Sequence, residues 1–496
     1  MPSHSHDSTA PPHTPVRAPR GSALSCKGWQ QEAALRMLMN TLDPEVAERA
    51  DELIACGATG KPAHDWPSYF AIIEALKALE NDQTLLVQSG KLAGILRTQL
   101  TAPRVLIDSE TSAASWMYVG TQGALEETYE IFRGAAKIHF GGDLAGRLVV
   151  SAGMGSLGGA QPLAAQLNGA AFLGIDADPA RIKRRVKSGY CDVMVSSLDE
   201  ALRILKNAVR QRAARSVGLV GNAADVITEL AERGVVPDLL TDRTAADDPL
   251  NGYWPLGLSL AAAAEMRRDD PEQARLRSRD SIAAQVRAMF ELRKLGAAVF
   301  EFDNNIFARA REAGVAEAGS IPDFASAYLA PALGKDHAPL RWIALSGEPA
   351  DLDRIDRLVL EMLPRDEILS RWIPLARKHV RTQGLPARVC WFPRADRARF
   401  AQAVNDLVAR GKVKAPMVLG RDFLDCGAAT ANTEDNKSAP SDVVARLVGG
   451  ANSAHLKATL DAASGASWAS IRGRRLAIVA DGTPEAAGRI ERVMAK

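Results

Sequence analysis

The sequence predicts an α/β fold with a parallel sheet, and three observations support this prediction. Short apolar strands alternate with helical patterns between residues 146 and 345. A glycine loop, Gly153-Met-Gly-Ser-Leu-Gly158, connects one of these strands directly to a helix. Regions of mixed helical and strand patterns lie on both sides of the alternating region. Alternation of this kind is typical of βαβ units in which helices cover both faces of the sheet.

The composition is that of a globular protein, with a length typical of about two to four domains. The 496 residues are 47% hydrophobic and 24% charged, which excludes a chain that is largely disordered, collagen-like or coiled-coil. The net charge of +2 predicts no general attraction to nucleic acid or to a membrane surface. No apolar run reaches the roughly 20 residues of a membrane span. Five scattered cysteines and no apolar signal peptide predict a soluble, cytoplasmic, reduced protein without a metal site.

Residues 1–22 are predicted to form a disordered tail, because they are rich in Pro, Ser and His and lack apolar periodicity. Its histidines are expected to be solvated, with weak metal binding as the alternative. Residues 23–145 are assigned to the first part of an α+β core domain. Its predicted elements are a helix over 29–48, a glycine turn over 57–60, a helix over 66–79, and strands over 84–88, 104–108 and 116–120.

Residues 146–345 are predicted to form the parallel-sheet domain, inserted into the core domain. Its predicted strands are 147–152, 171–176, 216–220, 238–241 and 298–302, and its predicted helices are 162–169, 198–214, 223–233 and 281–295. Residues 346–496 are assigned to the second part of the core domain. Helices come first there, followed by strand 388–391, helix 396–410, strand 417–419 and a final strand 476–480.

The glycine loop predicts a dinucleotide site. It has the GxGxxG pattern between a strand and a helix, and Asp176 ends the next strand. Glycines allow the backbone to approach a pyrophosphate at the helix N-terminus, and an acid at Asp176 can accept hydrogen bonds from ribose hydroxyls. Because its charge would repel a 2′-phosphate, NAD+ is favoured over NADP+. The domain is therefore predicted to be Rossmann-like; the alternative is a tight turn without a ligand.

Seven segments, in chain order, resemble the urocanate hydratase (urocanase) family. They are Leu86–Lys91, Tyr118–Gly123, Gly158–Pro162, Asp248–Tyr253, Ala344–Glu348, Gln383–Arg388 and Arg421–Gly427. The resemblance implies a cytosolic homodimer of histidine catabolism that binds NAD+ tightly and adds water in a 1,4 sense to a small-molecule imidazolyl-acrylate. In that family the nicotinamide ring acts as an electrophile, because a pyridinium cation is an electron sink.

The resemblance also implies roles for individual residues. Cys426 matches the active-site cysteine of the family, the alternative being a buried apolar residue. Arg341 is expected to hold the substrate carboxylate, to which a guanidinium can bind in a bidentate manner. With Arg341, the substrate pocket would include Cys56, Phe302 and Phe423. The implied cofactor contacts are Gly57, Ala58, Gln122, Gly155, Ser156, Leu157, Gly158, Asp176, Arg181, Asn222, Ala223, Arg243, Thr244, Ala245, Tyr253, Trp254 and Phe302.

Several positions depart from the family pattern. Cys56 and Phe302 stand where the family has tyrosines, Ala58 where it has a glycine, and Phe423 where it has a histidine. The His-His-Gly-Gly-Gly loop of the family is missing, and two candidates for its replacement are segment 449–453 and the arginines at 472, 474 and 475, between which the sequence does not decide. These changes open volume and remove polar groups. They predict a ring-modified substrate, thiourocanate or S-methyl-thiourocanate, as in the degradation of a thiohistidine.

Three other functions remain open at this point. The departures are also compatible with an ordinary urocanate hydratase. An NAD-dependent oxidoreductase would use the same fold but would change the absorbance of NADH during turnover. A catalytically inactive NAD-binding protein would explain the missing loop, but the presence of Cys426 and Arg341 argues against it.

Overall fold

The computed structural model describes residues 11–109, 111–302, 304–334, 336–421, 465–471 and 475–494. The chain forms two compact units. The first unit contains the chain up to Cys56, residues 60–123 and the chain from Leu333 onward. The second unit contains residues 57–59 and 124–332.

The helices and strands are numbered in chain order. The helices are α1 (Trp29–Asn40), α2 (Trp66–Ala78), α3 (Leu125–His139), α4 (Gln161–Leu167), α5 (Pro179–Ser188), α6 (Leu198–Gln211), α7 (Ala223–Glu232), α8 (Leu260–Asp269), α9 (Pro271–Lys294), α10 (Ile306–Glu312), α11 (Ala330–Leu333), α12 (Pro349–Met362), α13 (Glu367–His379), α14 (Arg397–Ala409) and α15 (Pro484–Met494). The strands are β1 (Gln83–Gln88), β2 (Lys91–Arg97), β3 (Val105–Asp108), β4 (Leu148–Ala152), β5 (Ala171–Asp176), β6 (Val193–Val195), β7 (Arg215–Val220), β8 (Leu239–Asp242), β9 (Ala298–Val299), β10 (His337–Ala344), β11 (Ala387–Pro393), β12 (Met417–Arg421), β13 (Trp468–Ser470) and β14 (Arg475–Ala480). None of the helices in the described part of the chain has a stretch long and apolar enough to span a bilayer.

The second unit contains a six-stranded sheet in the order β6-β7-β5-β4-β8-β9. Every neighbouring pair is parallel, which confirms the predicted parallel sheet. Its strands are apolar on both faces, and Val150, Leu173 and Leu240 are fully buried in its core. The strand order reverses on either side of β4, and ligands of such sheets bind at the carboxyl edge beside this reversal.

The first unit contains an eight-stranded sheet in the order β11-β10-β12-β14-β13-β3-β1-β2. The parallel pair β3–β13 joins the strands from the N-terminal part of the chain to those from the C-terminal part. The pairs among β10, β11, β12, β13 and β14 are antiparallel. The core packs residues of α1 and α2, such as Leu35 and Ile72, with residues of the sheet such as Val418 and Trp468. The α+β core built from both ends of the chain is therefore confirmed.

One strand prediction fails around the start of this sheet, and one strand was missed. The predicted strand over 116–120 is wrong, because Trp116 has a φ of 56° and the segment carries no ladder. The strand β2 was not predicted, since its residues are mostly exposed and do not alternate. Ser89 and Gly90, with φ values of 49° and 74°, form the tight turn between β1 and β2. Two consecutive positive φ values are typical of a hairpin turn.

The predicted disordered tail is wrong for its described part near residue 20. The guanidinium of Arg17 pairs with Asp43 at 3.1 Å, and Ala18 is buried. The Gly21 N–H donates to the Ser346 carbonyl at 3.0 Å, while the Gly21 carbonyl accepts from Arg36 at 2.7 Å. Backbone hydrogen bonds and an ion pair therefore fix this segment to the first unit, which polar composition alone did not indicate.

The two units also differ from the predicted domain bounds. The second unit begins at Ala124 and includes α3, whereas the sequence placed residues 124–145 in the core domain. Gly134 of α3 packs directly against the backbone of Tyr328, and a Cβ there would lie 2.6 Å from the Tyr328 carbonyl oxygen. In contrast, β10 was assigned to the parallel-sheet domain but pairs with β11 and β12 of the first unit.

Candidate functional site

A cleft lies at the carboxyl edge of the parallel sheet in the second unit. The loops after β4, β5, β7 and β8 form it, at the reversal of strand order where such folds bind ligands. Its walls include several predicted cofactor contacts: Asp176, Arg181, Asn222, Ala223, Thr244, Tyr253 and Trp254. Gly153 of the predicted glycine loop also lines the cleft, together with three residues that the sequence did not single out: Ile175, Ala177 and Gly252.

The glycine loop is tightly folded at the entrance to α4. Gly153 has a φ of 85°, and a Cβ on Gly158 would overlap the Gly153 carbonyl oxygen. The side chain of Gln161 donates to the carbonyls of Gly153 and Gly158 at 3.3 and 3.1 Å. The Ser156 Oγ accepts a hydrogen bond of 3.0 Å from the N–H of Gly57. The structure thus brings together Gly57 and Ser156, two predicted contacts that are far apart in the sequence.

A buried arginine of α5 supports this loop from below. Arg185 is 1% exposed, and its Nε donates to the Met154 carbonyl at 3.0 Å. A Cβ on Gly159 would overlap the Arg185 guanidinium, so a larger residue there would displace this side chain. The sequence analysis did not identify Arg185. A cation beneath the loop favours an anionic ligand above it.

Asp176 stands at the end of β5 with both carboxylate oxygens oriented by backbone groups. One oxygen accepts from the Met154 N–H at 2.7 Å and the other from the Asp178 N–H at 2.9 Å. The Arg181 guanidinium lies 3.7 Å away. Each carboxylate oxygen can accept more than one hydrogen bond. Asp176, the residue predicted to bind ribose hydroxyls, therefore lines the cleft with its carboxylate held in one orientation.

The opposite wall depends on Asp242, which the sequence did not identify as a contact. This fully buried carboxylate accepts hydrogen bonds from Gln285 at 2.7 Å, from Asn304 at 2.6 Å and from Thr244. Gln285 in turn accepts from the Tyr253 hydroxyl. Burial raises the pKa of Asp242. The network positions Thr244 and Tyr253 at the cleft.

Polar groups at the end of the cleft are suited to a polar ligand. Asn222 caps α7 by accepting from the Ala224 N–H at 2.9 Å, and its amide donates to the Trp254 carbonyl at 2.9 Å. The indole of Trp254 stacks on Arg267 at 4.7 Å, while its buried Nε1 has no hydrogen-bond partner among the described residues. A buried donor without a partner is costly. Together with the glycine loop and Asp176, these residues fit a bound dinucleotide.

The other predicted contacts of the second unit do not line this cleft. Phe302 is fully buried in an aromatic cluster with Phe132 and Phe324. Arg243 stacks over its ring at 4.4 Å and pairs with Glu127 at 3.4 Å. The remaining predicted contacts of this unit also lie outside the cleft lining: Gly57, Ala58, Gly155, Ser156, Leu157, Gly158 and Ala245.

Gln122 belongs to the first unit, where its side chain ties two loops together. The amide donates to the carbonyls of Val119 and Gln383, both at 2.8 Å. Its buried Oε1 has no hydrogen-bond partner within the described ranges. The side chain is thus held in place by its amide donor.

Arg341, on β10 of the first unit, is 6% exposed. Its guanidinium donates to the Met117 carbonyl, and its side chain lies across Gly420 of the adjacent β12, where a Cβ would be 2.8 Å from the Arg341 Cγ. Burial and the positive charge of Arg475 lower the pKa of Arg341 to about 9. Both effects disfavour the cation, so a bound carboxylate would stabilise it.

Cys56 is buried in the same unit, within electrostatic range of Arg475. Burial raises the pKa of the Cys56 thiol, which therefore stays protonated near neutral pH. Its apolar neighbours are Val46, Ala55, Ala113 and Tyr118. Cys56 therefore presents a small neutral group to these neighbours.

Cys426 and Phe423 lie outside the described residues, as do segment 449–453 and the arginines at 472 and 474. In the part of the chain that the structure describes, no group of three or more His, Cys, Asp or Glu side chains is placed to hold a metal ion.

Three protein-family models match successive parts of the chain. The urocanase N-terminal domain matches residues 16–148. The urocanase Rossmann-like domain matches residues 120–328. The urocanase C-terminal domain matches residues 331–496.

Proposed function

The chain belongs to the urocanase family of hydro-lyases, and we propose that it adds water to the acrylate of a ring-modified urocanate with the help of tightly bound NAD+. The observation that carries this proposal is the cleft at the carboxyl edge of the parallel sheet. Its lining contains the acid, the capped helix and the polar groups that the sequence assigns to NAD+ binding.

The residues of the second unit have separable roles in holding the cofactor. The loop Gly153–Gly158 would receive the pyrophosphate against the N-terminus of α4, above the buried Arg185. Asp176 would accept hydrogen bonds from the ribose hydroxyls, and Trp254 Nε1 would donate to a polar group of the ligand. When bound, NAD+ supplies a pyridinium ring that withdraws electrons from the substrate.

The residues of the first unit are proposed to handle the substrate. Arg341 would bind the acrylate carboxylate and so fix its orientation. Cys426 is proposed as the catalytic cysteine on the basis of its match to the family. Cys426→Ala is expected to retain NAD+ but to lose turnover; full activity of this variant, measured by loss of acrylate absorbance, would contradict the role.

The substituted positions support a ring-modified substrate. Cys56 offers an apolar, neutral surface instead of a phenol. A methylthio group is larger and less polar than hydrogen, so it suits such a surface. Loss of this group would cost about 1–3 kcal/mol of transition-state binding.

We also propose that the enzyme is cytoplasmic and forms a homodimer. Light scattering of the purified protein would test the dimer.

A side-by-side spectrophotometric screen tests the proposal. Urocanate, thiourocanate, S-methyl-thiourocanate and an N-methyl-urocanate are compared by the loss of acrylate absorbance. We expect kcat/KM to be at least about tenfold higher for a sulfur-bearing substrate than for urocanate, with no accumulation of NADH. A preference for urocanate would indicate an ordinary urocanate hydratase. Stoichiometric formation of NADH would indicate an oxidoreductase.

A further inference from the structure

The sheet of the first unit places a second buried arginine on the same face as Arg341. Arg341 is directly opposite Gly420, and Gly420 is directly opposite Ala477. Side chains of directly opposite residues in antiparallel strands share a face, and so do residues two apart on one strand. Arg475, two residues before Ala477 on β14, therefore shares the face of Arg341.

The spacing allows both guanidinium groups to reach one small anion. Strands about 4.8 Å apart and a rise of about 3.4 Å per residue put the two Cβ atoms roughly 12 Å from each other. The Arg341 side chain already leans across Gly420 towards β14, because a Cβ on Gly420 would lie 2.8 and 3.1 Å from its Cγ and Cδ. Two extended arginine side chains together cover this span.

Arg341 and Arg475 are both buried, and the charge of Arg475 acts on Arg341. Arg475 is 7% exposed. Burial lowers the pKa of Arg475 to about 10, with Cys56 acting in the opposite direction, and the charge of Arg475 contributes to the low pKa of Arg341. Two buried like charges on one face are unfavourable by themselves. An anion bound to both would add two attractive interactions that offset this repulsion.

We propose that Arg475 is a second ligand of the substrate carboxylate and acts together with Arg341. The inference rests on the proposed function, because it identifies the anion as the acrylate carboxylate. A carboxylate has about four lone-pair positions and can accept from two guanidinium groups at once. Arg475 stands directly after the segment in which the glycine loop of the family is missing, so it gives this chain its own means of holding the acid.

The test measures binding without turnover. The probes are 3-(imidazol-4-yl)propanoate, which has no double bond to hydrate, and its neutral primary amide, titrated calorimetrically into the holoenzyme. The wild type should bind the carboxylate more tightly than the amide. Arg475→Gln should reduce this preference about tenfold or more, whereas Arg475→Lys should retain part of it.

Arg421→Gln serves as the matched control. Arg421 is a buried arginine beside Gly420, but on the other face of the sheet, where it donates to the Val493 carbonyl at 2.8 Å. This variant should leave the carboxylate preference within about twofold of the wild type. Thermal unfolding shows that each variant is folded. An unchanged preference in folded Arg475→Gln, or an equal reduction in Arg421→Gln, would overturn the proposal.

The pH dependence of probe binding is a second measurement, and it would not change if Arg475 had only a structural role. Carboxylate binding should weaken above about pH 9, as Arg341 loses its proton. Without the charge of Arg475 the pKa of Arg341 rises, so this weakening should move to higher pH in Arg475→Gln. An unmoved pH profile contradicts the proposal. If no urocanate is hydrated but the charge preference depends on Arg475, the proposed reaction fails while the anion site stands.

Discussion

The cofactor cleft of the second unit and the arginine face of the first unit are assembled in different ways. The cleft is formed by loops that follow parallel strands, and most of its lining residues lie at or within a few residues of a strand end. The arginine face is formed by β10, β12 and β14, which long stretches of chain separate. A site at the edge of βαβ units follows from local pattern, whereas a site across antiparallel strands depends on their register.

The largest effect should come from disrupting the glycine loop. Gly158→Ala places a Cβ on the Gly153 carbonyl oxygen, so the loop cannot keep its shape. We expect the affinity for NAD+ to fall at least about a hundredfold and the activity to fall with it. NAD+ released by denaturation is measured by chromatography. The exposed Gly319→Ala, whose Cβ would meet only an arginine tip 3.8 Å away, should be neutral. Wild-type NAD+ content in Gly158→Ala would contradict the assignment of the cleft.

A change on the arginine face should separate substrate binding from cofactor binding. Arg341→Lys keeps the charge but loses the bidentate geometry, so KM should rise about 10- to 100-fold while NAD+ content stays at the wild-type level. Steady-state kinetics and the NAD+ assay are run on the same preparation. An unchanged KM would show that Arg341 does not hold the carboxylate.

A positioning residue behind the cleft should have a smaller effect. Asp242→Asn replaces an acceptor of several hydrogen bonds with a group that turns an amide donor towards Gln285 or Asn304. The wall with Thr244 and Tyr253 should loosen and the Kd for NAD+ should rise about tenfold, as measured by titration of the stripped protein. A Kd within twofold of the wild-type value would show that the network is dispensable for the cofactor.

The smallest effect concerns the ring substituent. Cys56→Tyr returns the bulky phenol of the family, so the preference for S-methyl-thiourocanate over urocanate should fall by about three- to tenfold. Cys56→Ser preserves the volume and should change the preference less. Thermal unfolding reveals any overpacking. A folded Cys56→Tyr variant with the wild-type preference would exclude Cys56 from substrate selection.

Sequence reasoning succeeded where the signal was local. β5 has the bounds that the sequence predicted, and the acid at its end is in the cleft. It failed where long-range packing decides. Arg185 lies in a basic, partly exposed helix, and only the fold places it under the glycine loop. The register between β12 and β14 places Arg475 on the face of Arg341. Asp242 is positioned by the burial of the end of β8.

The measurement that tests the central claim most directly is hydration activity before and after removal of the dinucleotide. Purified protein is expected to contain stoichiometric NAD+, to lose activity when stripped, and to regain it with NAD+ but not with NADP+, without net formation of NADH. Full hydration activity in protein that contains no NAD+ and receives none would contradict the account.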